Sequence, residues 1–342
     1  MNYFRCTVGG SGNKWKLTVT CNAVFAGLPI SCTDGVTTQT KTCPASSPYV
    51  VKFDIPNAGN WTVSAVYDER THSVTVEIVN SAILNYSPKG STATPTDDIQ
   101  TWLNCAGIWD KSYTTITQVL GDSTTLLALI SNENAVDYMA RSTTWASSVA
   151  ADSSAMTYIG ANAYCADSLL DNSTWATAII NSTYFENVLT TKVPTMTSST
   201  TPSGTVSGTA SESAYPPYKA FDGSTAIADR YACSSSGTTV TAYLRYDFTE
   251  AVCVKKYTYF PYTSQGTYRT TKLVLAGSND GSTWEDIDTN TVYLTTEQEY
   301  SYGVPNNKKY YSKYRLTITA NCSSSTKCAQ VYELQFYGRT QG

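Results

Sequence analysis

The chain of 342 residues contains a single imidazole, His72, so a nucleophile–histidine–acid relay would have to be built on it. His72 follows Asp68-Glu-Arg-Thr, which reads as a turn between two strands, a poor place for a buried relay. Glycoside hydrolysis needs two carboxylates spaced across a cleft. The acids here are scattered: Asp97 and Asp98 belong to a helix start, and Glu285 and Asp286 follow a turn at Trp284. Gly9-Gly-Ser-Gly-Asn lacks the Lys-Ser/Thr of a phosphate loop and reads as a turn. None of the ten cysteines forms a CxxC pair, which together with the lone histidine argues against zinc. No enzyme is expected. Cys165 reads as a buried free thiol. Cys322 and Cys328 could close a short loop in an oxidising environment, while cytoplasmic assembly would leave them as thiols. Both alternatives stand open.

The totals narrow the setting. Charged residues make up 15% of the chain, Ser and Thr are abundant, and there are 26 tyrosines. Such a composition suits β-rich extracellular or virion proteins better than cytosolic enzymes. The net charge of −4, with no basic run, makes nucleic acid an unexpected partner. No apolar stretch has the length of a membrane span, so membrane insertion is not expected. The start, Met1-Asn-Tyr-Phe-Arg-Cys, lacks the regions of a signal peptide, so synthesis in a cytoplasm is expected.

The elements that would position any site begin with a ten-residue pattern over 112–191. Small capping residues recur at Ser112, Asp122, Asn132, Ser142, Asp152, Asn162, Asn172 and Ser182. Seven positions after each comes an apolar residue, from Val119 and Leu129 through to Ile179 and Leu189. The position four after each cap is apolar too, from Ile116 to Ala176, until Glu186 breaks it. On one continuous helix, at about 100° per residue, ten residues would return the stripe roughly 80° out of phase. Eight short helices that stop, restart and bury their stripes against one another fit better. Such a stack is a spacer or an assembly surface.

Residues 1–92 alternate with a period of two in Lys14–Cys21, Tyr49–Ile55, Trp61–Val66 and Ser73–Ile78, which predicts a small β-sandwich. The segment Phe53-Asp-Ile-Pro-Asn-Ala-Gly-Asn-Trp-Thr-Val resembles carboxypeptidase-regulatory-like or PEGA-type modules, which implies an anchoring or packing role. In the connector, Thr94-Pro95 followed by Asp97 and Asp98 predicts a helix start. Trp102, Leu103, Ile108 and Trp109 would then cover the end of the stack. A Ser/Thr/Pro-rich stretch from Lys192 to Gly204 reads as a linker, giving modules 1–92, 93–194 and 195–342.

The last module carries four ordered blocks: Ala210–Gly223, Leu275-Ala-Gly-Ser-Asn-Asp-Gly-Ser-Thr-Trp284, Tyr314-Arg-Leu-Thr-Ile and Val331-Tyr-Glu-Leu-Gln-Phe-Tyr-Gly. Together they resemble a discoidin (F5/8 type C) domain, related to family 32 carbohydrate-binding modules. The resemblance implies an eight-stranded, galactose-binding-like jelly roll in which Trp284 and Phe221 fill the core and Arg315 pairs or packs near a sheet edge. It further implies a structural Ca2+ held by Asp222 and Glu333, whose oxygens suit a hard cation. The loop Ser224–Tyr231 departs from the family's usual Thr-x-Trp ending, with Tyr231 in place of the Trp and Asp229 in place of the Thr, which leaves the ion open. In such modules an aromatic face and polar groups take the sugar. Here the loops offer Arg230, Tyr231, Tyr262, Tyr268 and Arg269 for that role.

The expected whole is a multidomain β + α + β protein. Ten-residue capped repeats joined to a discoidin-like module resemble tail and structural proteins of bacteriophages. That resemblance implies a non-enzymatic virion component, a tail, baseplate or head fibre, exposed outside the cell after release. Its partners would be other virion subunits, copies of itself and a host-surface glycan. Two other readings stay open: a structural or decoration protein whose jelly roll only packs, and a bacterial surface adhesin or accessory binding protein.

Overall fold

A computed structural model describes residues 4–9, 15–56, 59–78, 98–108, 111–264, 266–326 and 328–341. The chain separates into two compact units, Met1–Thr144 and Trp145–Gly342.

Among the described residues of the first unit, seven strands form two antiparallel sheets. They are β1 (Phe4–Gly9), β2 (Trp15–Cys21), β3 (Pro29–Thr33), β4 (Thr38–Thr42), β5 (Val50–Ile55), β6 (Gly59–Tyr67) and β7 (Arg70–Ile78). The sheet orders are β1-β2-β5 and β4-β3-β6-β7. Alternate residues enter one shared core, among them Leu17 and Val19 of β2, Phe53 of β5, and Trp61 and Val63 of β6. Each such side chain contributes about 1.5–3 kcal/mol by leaving water. Asp68 and Glu69 close the β6–β7 hairpin with φ of 52° and 57°, the left-handed pair that matches strand twist in a two-residue turn. His72 lies in β7 opposite Ala65, not on the turn, and its ring meets Phe25 edge-on at 6.1 Å.

Among the described residues four helices follow: α1 (Ile99–Cys105), α2 (Ile116–Leu120), α3 (Ser123–Ile130) and α4 (Glu133–Arg141). The Thr94-Pro95 start and Trp109 lie outside the described residues. Asp98 accepts from the N–H groups of Gln100 and Thr101 at the head of α1. Trp102 is buried and donates its indole N–H to Ala135 O at 3.0 Å. Asp122 and Asn132 cap α3 and α4, whereas α2 is capped by Thr115 in a reciprocal box with Gln118, not by Ser112.

The second unit opens with α5 (Ala146–Ala150), α6 (Ser153–Ala161), α7 (Ala163–Asp171) and α8 (Ser173–Asn181). Asp152, Asn162 and Asn172 accept first-turn N–H groups of α6, α7 and α8. α5 follows Trp145, which makes no side-chain cap bond, and buried Ser142 ends α4 instead of starting α5. After Ser182 the chain forms only a 3-10 turn, Phe185–Asn187, where Glu186 stands at the expected apolar position.

The rest is a β-structure of nine strands: β8 (Thr191–Lys192), β9 (Thr205–Gly208), β10 (Tyr231–Ala232), β11 (Gly237–Pro261), β12 (Tyr268–Ser278), β13 (Glu285–Leu294), β14 (Tyr300–Gly303), β15 (Tyr311–Thr326) and β16 (Gln330–Thr340). The main order is β10-β16-β11-β15-β12-β13, with β14 and β9 on β11 and β8 on β16. β11 pairs with β15 over its first half and with β16 over its second, with a register shift between Asp247 and Val252. The jelly-roll core takes Leu244, Leu275 and Leu316 from one set of strands and Tyr257, Leu334 and Phe336 from the other. A Cβ at Gly277 would collide with the Tyr311 ring, which explains the glycine in the Leu275-Ala-Gly-Ser run.

Three expectations need correction here. The stretch 192–204 is not a free linker: Val193 and Met196 are buried in the jelly-roll core, and Val193 exchanges two bonds with the Gln335 side chain. Trp284 does not fill the core, although Phe221 does. Its half-buried indole lies under Arg315 at 4.3 Å and near Arg245 at 5.4 Å. Arg315 thus packs in mid-sheet, since β15 runs between β11 and β12, and not near an edge. Cys165 is a buried free thiol, and Cys322 and Cys328 are joined as a disulfide.

Candidate functional site

The loops at one end of the jelly roll bring together Arg230, Tyr262 and Tyr268. The Arg230 guanidinium lies between the rings of Tyr215, at 4.1 Å, and Tyr262, at 4.5 Å. Its Nε donates to the amide oxygen Oε1 of Gln330 at 2.8 Å, and its Nη1 donates to Ile227 O. Tyr262 is tilted against Tyr268 at 5.8 Å and meets Tyr332 edge-on at 5.4 Å. All of Arg230, Tyr215, Tyr262 and Tyr268 keep part of their surface in water.

The two other proposed ligands lie elsewhere. Tyr231 is fully buried, and its hydroxyl donates to Thr209 O at 3.0 Å. As the first residue of β10 it faces the core and has no surface to offer a ligand. Burial pushes its phenol well above the usual range. Arg269 follows Tyr268 along β12, and successive strand residues face opposite sides. Tyr268 packs on the core, while Arg269 reaches over the exposed ring of Tyr293 at 6.0 Å.

Sequence reasoning missed four contributors. Tyr215 sits in the first family block and Tyr332 and Gln330 lie at the last, so block membership was the available signal. Glu297 had none. Its Oε1 accepts from the N–H groups of Thr263, at 3.1 Å, and Ser264, at 3.0 Å, and so holds the loop that carries Tyr262. Ser264 adopts a φ of 45°, a conformation that this double acceptance supports. Asp229 does not face a ligand either: it pairs with Lys219 at 2.6 Å, which holds its carboxyl below the usual range.

Asp222 and Glu333 form a second feature of this domain. Glu333 Oε2 accepts from Gly223 N at 3.0 Å, and Asp222 Oδ1 accepts from Ser224 N at 2.9 Å. Burial pushes the Glu333 carboxyl up to about 9, and neighbouring Asp222 and Glu299 push the same way against the Gly223 bond. Burial raises Asp222 also. Two half-buried carboxylates that repel each other suit a hard divalent cation, which would favour both charged forms. They would supply part of its shell only, because no group of three His, Cys, Asp or Glu converges on a metal position among the described residues.

The F5/8 type C domain family matches residues 195–332. No curated protein matches the chain. Among solved structures, the CBM32-3 module of a family 31 glycoside hydrolase from Clostridium perfringens is 16% identical, with a TM-score of 0.34, covering 39% of this chain and 88% of that one. The family 32 module of C. perfringens NanJ, solved with galactose, is 18% identical with a TM-score of 0.32, covering 39% and 93%. The C-terminal domain of a chitobiase from Bacteroides fragilis is 18% identical with a TM-score of 0.34, covering 42% and 97%. Residues 195–332 are an F5/8 type C, or discoidin, domain.

Proposed function

We propose that the discoidin domain binds a glycan at its loop end, and that the chain is a non-enzymatic bacteriophage virion component that presents this domain to the host surface. The glycan reading rests on one observation above all, the Arg230 guanidinium held between Tyr215 and Tyr262 with Tyr268 beside them. A sugar ring offers an apolar face to an aromatic side chain and hydroxyls to polar groups. A guanidinium has five N–H donors, and those not committed to Gln330 and Ile227 can meet sugar hydroxyls. Tyr262 and Tyr268 supply the ring faces, with Glu297 fixing the loop. Asp222 and Glu333 would hold a Ca2+ whose part is structural, tying the 222–224 turn to β16.

The virion reading draws on composition, low in charge and rich in tyrosine, and on the capped short helices. Its partners would be other virion subunits and further copies of the chain, assembled in the host cytoplasm and exposed after release. Antibody against the chain should label purified phage particles; labelling confined to a secreted or cell-surface fraction would contradict it. A packing-only reading has one observation in its favour, that both faces of Arg230 are already covered. A glycan array with the full chain, in calcium and in chelator, separates the two. Specific binding supports the receptor reading, and a blank with folded protein supports packing.

A further inference from the structure

The discoidin domain carries three cations that reach into the helices of its own unit. Arg339 of β16 donates through Nη1 to Gly160 O at 3.0 Å and to Val188 O at 3.3 Å. Lys255 of β11 donates through Nζ to Leu170 O at 2.8 Å and to Pro305 O at 3.2 Å. Lys256 donates to Ile180 O at 3.1 Å. The acceptors 160, 170 and 180 are ten residues apart, and they lie in the last turns of α6, α7 and α8. Carbonyls there have no partner within the helix, and the helix dipole adds partial negative charge, so a cation satisfies both.

These contacts are not surface decoration. Lys255 is 2% exposed and Arg339 8%, and Arg339 also pairs with Asp167 of α7 at 3.4 Å. Burial drives the Lys255 ammonium down from its usual range. At Gly160, any Cβ would collide with Asn187 O, so the helix end can approach only as glycine. Phe185 meets Tyr337 of β16 edge-on at 5.0 Å, and Lys256 lies 3.7 Å over the Phe185 ring. The joining stretch is fixed as well, with β8 paired to β16.

We propose that Lys255, Lys256 and Arg339 are register pins that lock α6, α7 and α8 to the jelly roll, so that residues 145–342 open and move as one body. The discoidin domain is then presented at a fixed angle to the helices before it and does not swivel on 192–204. The pins explain why the helical period and the strand cations fit: one cation serves each ten residues of chain.

Hydrogen exchange on the full chain tests this. The slowest amides of α6–α8 should exchange with the same opening equilibrium as those of β11 and β16. Lys255→Met should speed exchange in α7 by roughly ten- to a hundredfold, because two buried carbonyls lose their donor. Lys256→Met, at a less buried position, gives a milder probe in α8 should the first variant fail to fold. Helices that open well before the strands in the native chain, or pin variants that leave helix exchange unchanged or slower, would overturn the proposal.

Discussion

Two clusters in the discoidin domain use the same side-chain chemistry to different ends. On the sheet face, Trp284 packs with Arg315 and Arg245, and Arg245 is bound bidentately by Asp247 at 2.5 and 2.7 Å. That bond raises the Arg245 guanidinium further, and Lys313 approaches Asp247 at 3.8 Å. Asp247 compensates Arg245 on this face, while Arg315 packs between the rings of Trp284 and Tyr243. At the loop end, Arg230 is held by two tyrosine rings and an amide rather than by a carboxylate. A separate feature of the domain is Glu333, beside Asp222, whose carboxyl burial pushes up to about 9. The sheet-face cluster is anchored by the Arg245–Asp247 pair, whereas the Arg230 cluster is formed by loops whose tyrosine rings stay partly in water.

The largest effect should come from Glu333. Its native value of about 9 exceeds the ordinary 4.5, so between these pH values the native state holds a proton that the unfolded chain has lost. Stability is therefore highest below about pH 4.5 with respect to this group and declines as pH rises through 9. In chelator, Tm should fall by about 5 °C or more from pH 5 to pH 9. Added Ca2+ should flatten the slope, and Glu333→Gln should remove both the slope and the calcium response. A pH-independent Tm in chelator would break the contrast between the two ends.

A smaller effect is expected on the sheet face. Trp284→Ala removes a half-buried indole and its contacts with two guanidinium groups, at a cost of about 1–3 kcal/mol. Thermal melts should show Tm lower by about 3–8 °C, with glycan affinity intact. Glu297→Gln should act in the opposite sense and least strongly. It keeps the size of the side chain but weakens its grip on Thr263 and Ser264, so binding should weaken by about three- to tenfold while Tm stays within about 2 °C. A Tm loss as large as that of Trp284→Ala would make Glu297 part of the framework.

Local chemistry was legible in the sequence and distant pairing was not. Asp122, Asn132, Asp152, Asn162 and Asn172 cap helices because a cap needs only the next three residues. Ser142 failed as a start because its site is buried at the end of α4, a fact of packing. The place of Trp284 outside the core is not legible locally, because the arginines that cover it come from β11 and β15, distant in the chain. Tyr231 looked like a loop aromatic until its pairing with Val331 turned it inward. Asp222 and Glu333 were joined only by family pattern, and Glu297, acting across 34 residues, left no trace in spacing.

The central claim is that the loop end binds sugar and the sheet face does not. The most direct test is calorimetric titration of an array-identified glycan into full-length wild type, Tyr262→Ala and Trp284→Ala. Loss of roughly thirtyfold or more in affinity for Tyr262→Ala, with wild-type affinity for Trp284→Ala, is the predicted result. Retained binding in Tyr262→Ala, or loss only in Trp284→Ala, would contradict the account.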